Sequence, residues 1–254
     1  MRHLRLLTIV LAVVWLVVWA AVALCAGSAF AAGVLTPAAG PLGGSPCDNV
    51  RTMVCLKEEF WGGVGATGSI GEIGWNVNGG SIGTCAGIVG DPGCFALSTT
   101  ASSGNVSTIY TQGSANVFAA GSWDVAWRLQ LVQVDANTTF HVGMQDSVTT
   151  LTPTNGSYFQ RLDADTNLFC VTRAAGAETR TDSGIAASTN NVWLRQRRTG
   201  NLMVEFYVDD VLVCSHTTHI HSVNTNVVLG IKTSTTAAKL INARFFNLQA
   251  EVSR

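Results

Sequence analysis

The residues best suited to chemistry fall into a few short groups. His216, His219 and His221 sit in the segment HTTHIH. On an extended strand His219 and His221 would share one face, and a loop could bring in His216. Neutral imidazoles in such a set can hold zinc or copper, with His141 as a further contributor. The simpler reading is a polar loop after a strand. Alternation places His216 off the face of the other two, so no tight metal site is expected. Glu205, Asp209 and Asp210 run off a strand into a turn, and Glu178 and Asp182 stand four apart. Retaining glycosidases need two carboxylates about 5.5 Å apart on one face, a spacing a turn pair does not provide. Asp163-Ala164-Asp165-Thr166-Asn167 begins like a calcium loop. Leu168 then stands where the turn glycine belongs, and no glutamate stands at the closing twelfth position. No G-x-S-x-G, phosphate loop or dinucleotide fingerprint occurs. The expectation is therefore no catalytic residue, no cofactor and no metal ligand. Structural calcium stays open without a clear motif.

Cysteines carry a different chemistry. Arg2, His3 and Arg5 precede an uncharged run from Leu6 to Ala26, and Ala29-Phe30-Ala31 has the small-x-small pattern of a cleavage site. Residues 1–31 read as a signal peptide cut after Ala31, with an uncleaved membrane anchor as the alternative. Cleavage removes Cys25 and leaves Cys47, Cys55, Cys85, Cys94, Cys170 and Cys214. An even number in an exported chain argues for disulfides and no free thiol. Proximity favours Cys47–Cys55 and Cys85–Cys94. Cys170 and Cys214 lie in apolar runs and would staple neighbouring strands. No C-x-x-C pair supports zinc instead.

The elements that must position these residues are strands. Residues 32–46 are rich in Pro, Gly and Ala and read as a flexible linker, and 47–254 as one domain. Trp193, Arg195 and Arg197 share a face, Thr199-Gly200-Asn201 turns the chain, and Leu202, Val204, Phe206 and Val208 follow at period two. Asp209-Asp210 turns it again into Val211–Cys214. Such tight turns make antiparallel hairpins, and Trp193 and Phe206 are expected to face the same core. Ser122–Gln133 alternates most clearly, with Trp123, Val125, Trp127, Leu129 and Leu131 on one side. Further strands are expected over 54–60, 140–144, 156–162, 167–173, 227–233 and 240–252, the last in a central position. About a dozen strands with Gly/Asn/Ser turns fit an all-β, two-sheet antiparallel jelly roll.

The stretch from Trp193 to Cys214 resembles the hairpin region of concanavalin A-like and laminin-G-like sandwiches, whose turn reads YVDG or YING. Asp210 stands here at the glycine position. A narrower resemblance rests on Glu59-Phe60, the segment Gly68 to Trp75 (GSIGEIGW) and Asp91-Pro92-Gly93. It continues through Phe140–Met144, Tyr158-Phe159, Thr181–Gly184, Trp193, Phe206–Val208 and His216–Thr218. This order is similar to a sandwich domain of tailed-phage structural proteins, though such proteins have no need of a signal peptide or six cysteines. Glucanases on the broader fold carry E-x-D-x-E or E-x-D-x-x-E, and neither occurs.

With 12% charged residues and a formal net charge of −1, the chain lacks the basic surface of nucleic-acid binders. The expected function is a secreted or surface-exposed, non-enzymatic binding or structural module for a glycan or surface protein. A carbohydrate-active hydrolase or lyase and a virion-type appendage are the alternatives. A membrane enters only if the N-terminal segment stays uncleaved.

Overall fold

The computed structural model describes residues 53–58, 60, 74–85, 93–111 and 121–251. The expected signal peptide, the linker, Cys47 and the segments 61–73 and 86–92 lie outside them. Among the described residues there is no helix.

The described residues form fifteen strands. In chain order they are β1 (Met53–Glu58), β2 (Asn76–Asn78), β3 (Ser81–Thr84), β4 (Phe95–Ser98), β5 (Val106–Tyr110), β6 (Trp123–Leu131), β7 (Thr138–Gln145), β8 (Gly156–Arg161), β9 (Asn167–Ala174), β10 (Ala177–Ala186), β11 (Asn191–Thr199), β12 (Met203–Val208), β13 (Val211–His216), β14 (Asn226–Thr233) and β15 (Leu240–Glu251). An eight-stranded sheet runs β13-β12-β11-β6-β15-β4-β3, with β1 also paired to β15. A seven-stranded sheet runs β10-β9-β8-β7-β14-β5-β2, and every pairing is antiparallel. The expected all-β sandwich is the observed fold, and β15 is central.

The core lies between the sheets, where each contributes one face at period two. β6 alternates buried and half-buried along its whole length, with Trp123, Val125, Trp127, Leu129 and Leu131 inward. Trp75 packs against Trp127 and Phe246, with ring centroids 5.4 and 4.8 Å away. Phe159 meets Phe206 across the sheets at 5.3 Å.

The β11–β12–β13 region corrects several expectations. Phe206 is fully buried, but Trp193 is 37% exposed and points the other way. The register pairs Gln196 with Phe206, so Leu194, Gln196 and Arg198 face inward. Trp193, Arg195 and Arg197 do share a face, and it is the outer one. Period-two alternation identifies a face without saying which is inside, and here each face of β11 carries polar residues. Arg198 is tolerated inside because it donates to Gly200 O (2.6 Å), Asn201 Oδ1 (2.6 Å) and His221 O (2.6 Å). Burial still pulls its pKa down to about 10. Leu202 belongs to the turn and is exposed. Asp209 and Asp210 both take positive φ, 48° and 63°, the conformation demanded by a two-residue hairpin of type I′ shape. Asp is among the few non-glycine residues that tolerate it.

Cys85 is bonded to Cys94 and Cys170 to Cys214. The second bond does not staple neighbours within a sheet. Cys170 lies on β9 and Cys214 on β13, so it joins one sheet to the other near their paired edges.

Candidate functional site

The histidine group does not assemble. β13 ends at His216, and His219 has a φ of 53° in the loop beyond, which breaks the extended strand that would have aligned it with His221. His216 is buried between Thr172 Oγ1 and Thr181 Oγ1, each 3.0 Å from a ring nitrogen. His219 Nδ1 lies 2.8 Å from Thr179 Oγ1. His221 is buried with Nδ1 at 3.1 Å from Val223 O and Nε2 at 3.5 Å from Arg198. Burial, and then the Arg198 charge, lower His221 to about 4. Among the described residues no three His, Cys, Asp or Glu side chains are placed to share a metal ion.

The other carboxylates are also engaged locally. Asp163 Oδ1 accepts from Thr139 Oγ1 at 2.7 Å, and Asp165 accepts from Leu162 N and from Arg180. These two shape the β8–β9 turn. Glu178 pairs with Arg173 at 3.7 Å, while Asp182 accepts from Asn167 and Gly184 N. Asp209 Oδ1 accepts from Trp193 N at 2.9 Å.

Two surfaces remain, the outer faces of the sheets. On the seven-stranded sheet the middle is closed. His141, Gln145, Tyr158 and Gln160 point outward from β7 and β8 yet are all buried. His141 stacks on Tyr158 at 4.7 Å, and its Nε2 lies 2.9 Å from Gln160 Nε2. Gln160 Oε1 accepts from Arg180 Nε at 2.8 Å, and the Arg180 guanidinium lies 3.5 Å over the Phe169 ring. Desolvation first, then the Arg173 and Arg180 charges, hold His141 down to about 3 despite its Gln145 hydrogen bond. Burial pushes Tyr158 up to about 12. The β7–β8 connection folds back over this face. Thr108 Oγ1 donates to Val148 O at 2.5 Å, Asn78 Nδ2 donates to Thr149 O at 3.3 Å, and Leu151 is buried against Gly230. A Cβ on Gly230 would come within 2.4 Å of Leu151, so glycine is what lets the strap lie flat.

The outer face of the eight-stranded sheet is open and differently furnished. Trp193 of β11 and Phe245 of β15 meet edge to face at 5.2 Å across β6. The Arg128 guanidinium lies 5.9 Å from the Trp193 ring, Lys57 5.5 Å from Phe245, and Arg195 5.4 Å from Tyr207. Arg195 is fixed by Asp124 through Nε at 2.9 Å and Nη2 at 2.5 Å. The register explains the grouping. Trp193 pairs with Arg128, which pairs with Phe245, while Tyr207 pairs with Arg195. A bulge at Arg244 turns Phe245 outward and keeps Phe246 in the core. Nothing in the local sequence marks this bulge. Aromatic rings held beside cations form a stacking platform with charged flanks.

No protein-family model matches the sequence, and no curated protein is significantly similar to it. Solved structures share the fold. A protein of unknown function from Shewanella oneidensis aligns with a TM-score of 0.58 at 14% identity, covering 80% of this chain and 89% of that one. A prokaryotic β-1,3-1,4-glucanase (lichenase) from a mouse hindgut metagenome gives 0.54 at 13%, covering 77% and 98%. The binding domain of Paraclostridial Mosquitocidal Protein 1 gives 0.53 at 10%, covering 76% and 48%, so the chain spans about half of that domain.

Proposed function

We propose that the protein is an exported, non-enzymatic binding module whose open sheet face recognises a glycan. The observation that carries this reading is the Trp193–Phe245–Tyr207 group on the outer face of the eight-stranded sheet, flanked by Arg128, Arg195 and Lys57. A half-exposed indole braced from the side offers a flat apolar surface to a sugar ring, and the cations supply donors for hydroxyl or acid groups around it. Export accords with two disulfides and with the signal-like N-terminus. No cofactor or metal enters the reading. Binding domains occur among the similar folds, as does a glucanase.

The glucanase keeps hydrolysis as the second reading. Against it stands the seven-stranded sheet, whose outward central residues are His141, Gln145, Tyr158 and Gln160 with no carboxylate pair, beneath the β7–β8 strap. The virion-type reading rests on the sequence resemblance alone.

A glycan array probed with the purified mature chain, followed by Trp193→Ala, tests the proposal. Retained glycan should appear with wild type and fall at least about fivefold in affinity with the variant, since stacking on one aromatic ring is worth about 1 kcal/mol or more. Released oligosaccharide, or binding indifferent to Trp193, would sink it.

A further inference from the structure

A cleft of about 230 Å³ opens at one end of the sandwich between the two sheets. Its floor is core: Leu129, Leu131, Phe140, Leu168 and Leu194 line it, and all are buried. Its mouth is the β10–β11 connection over residues 185–191, opposite the β12–β13 turn. Protein interiors leave few voids larger than a water molecule. An apolar cavity of roughly 150 Å³ stays dry and accepts a benzene-sized guest. The space here suits one ring with a short tail.

Charge narrows the guest. Among the residues lining the cleft Asp209 alone is charged. One of its carboxylate oxygens accepts from Trp193 N, and the other has no hydrogen-bond partner among the described residues. Asp209 is exposed at the rim of this apolar cleft, and its carboxylate favours an ammonium, because a hydrogen bond between two charged groups is roughly twice as strong as a neutral one. A carboxylate guest would meet repulsion instead.

We propose that this cleft binds a small aromatic or short-chain amine, its apolar part among Leu131, Leu168 and Leu194 and its ammonium on Asp209. The site is separate from the Trp193 platform. Trp193 meets Asp209 through its backbone N–H and C=O, so Trp193→Ala should leave amine binding in place while removing the glycan.

Titration with phenethylamine, ethylbenzene and 3-phenylpropionate, followed by the methyl resonances of Leu131, Leu168 and Leu194, tests it on the full mature chain. The amine should move those methyls and bind at least about tenfold tighter than the carboxylate, the margin of one charge-assisted contact. Asp209→Asn, which can still accept from Trp193 N, should abolish that preference and leave ethylbenzene unchanged. Floor methyls unmoved by the amine, or equal affinity for amine and carboxylate, would overturn the proposal.

Discussion

Tyr158 and Tyr207 both point outward from the middle of a strand, one from each sheet, and they end in opposite surroundings. Tyr158 is fully buried and stacked on His141, whereas Tyr207 stays half-buried beside Arg195. The outer face of the seven-stranded sheet has become a second, polar interior. His141, Gln160, Arg180 and Asp165 form one connected chain of contacts there. The outer face of the eight-stranded sheet remains a surface. Two sheets of one sandwich can thus differ, one contributing stability through both of its faces and the other leaving a face open to solvent.

The largest expected effect comes from that tyrosine pair. Tyr158→Ala should cost about 3–5 kcal/mol, as a buried aromatic does, and Tyr207→Ala about 1 kcal/mol. Urea denaturation with the disulfides intact measures both, and equal losses would erase the distinction between the faces. Phe206→Ala, inward from the neighbouring position on the same strand, should match the Tyr158 loss rather than that of Tyr207.

Acid should act through the closed face. His141 titrates near 3 when folded, below its ordinary value of 6.5, so the folded state favours the neutral ring. Its contribution is complete above pH 6.5 and is lost as pH falls toward 3. Between pH 6.5 and 5 the loss reaches up to about 2 kcal/mol, at about 1.4 kcal/mol per pH unit. His221, lowered to about 4, adds to it. His141→Gln should flatten this part of the stability–pH curve, and an unchanged slope would mean that the closed face admits water.

On the open face, Trp193→Ala should change stability by less than about 1 kcal/mol in thermal or urea melts, since more than a third of the residue is already in solvent. A loss comparable to that of Tyr158 would make this face structural as well. The smallest effect belongs to the turn beside it. Asp210→Gly should add about 0.5 kcal/mol, because glycine adopts the positive φ without strain at a modest entropic cost. A drop in melting temperature would show that Asp210 has a use beyond the turn.

What the sequence revealed depended on how sharply burial alternates. β6 was legible because its inward residues are large and apolar and its outward ones polar. β10 was missed as a strand. It is an edge with little covered on either side, so no hydrophobic period marks it. β7 and β8 were found, but His141, Gln145 and Gln160 gave no sign of being buried. A polar residue at period two normally marks the wet face, and the Tyr158 ring and Arg180 side chain that cover His141 and Gln160 come from strands remote in sequence. The open platform was half visible. The sharing of a face by Trp193, Arg195 and Arg197 could be read directly, but its direction required knowing that Gln196 donates to Val142 O on the opposite sheet at 2.8 Å. Phe245 joined the group only through the Arg244 bulge, a backbone event with no local signature.

The bond from Cys170 to Cys214 encloses β10, β11 and β12, and with them Trp193, Arg195 and Tyr207 of the open face and one wall of the cleft. A protease that cuts once anywhere between these cysteines leaves two fragments that cannot diffuse apart. Nicked protein would migrate as a single species until a reductant is added. A severed loop would then be an injury the molecule can survive with the strands of its open face still tethered.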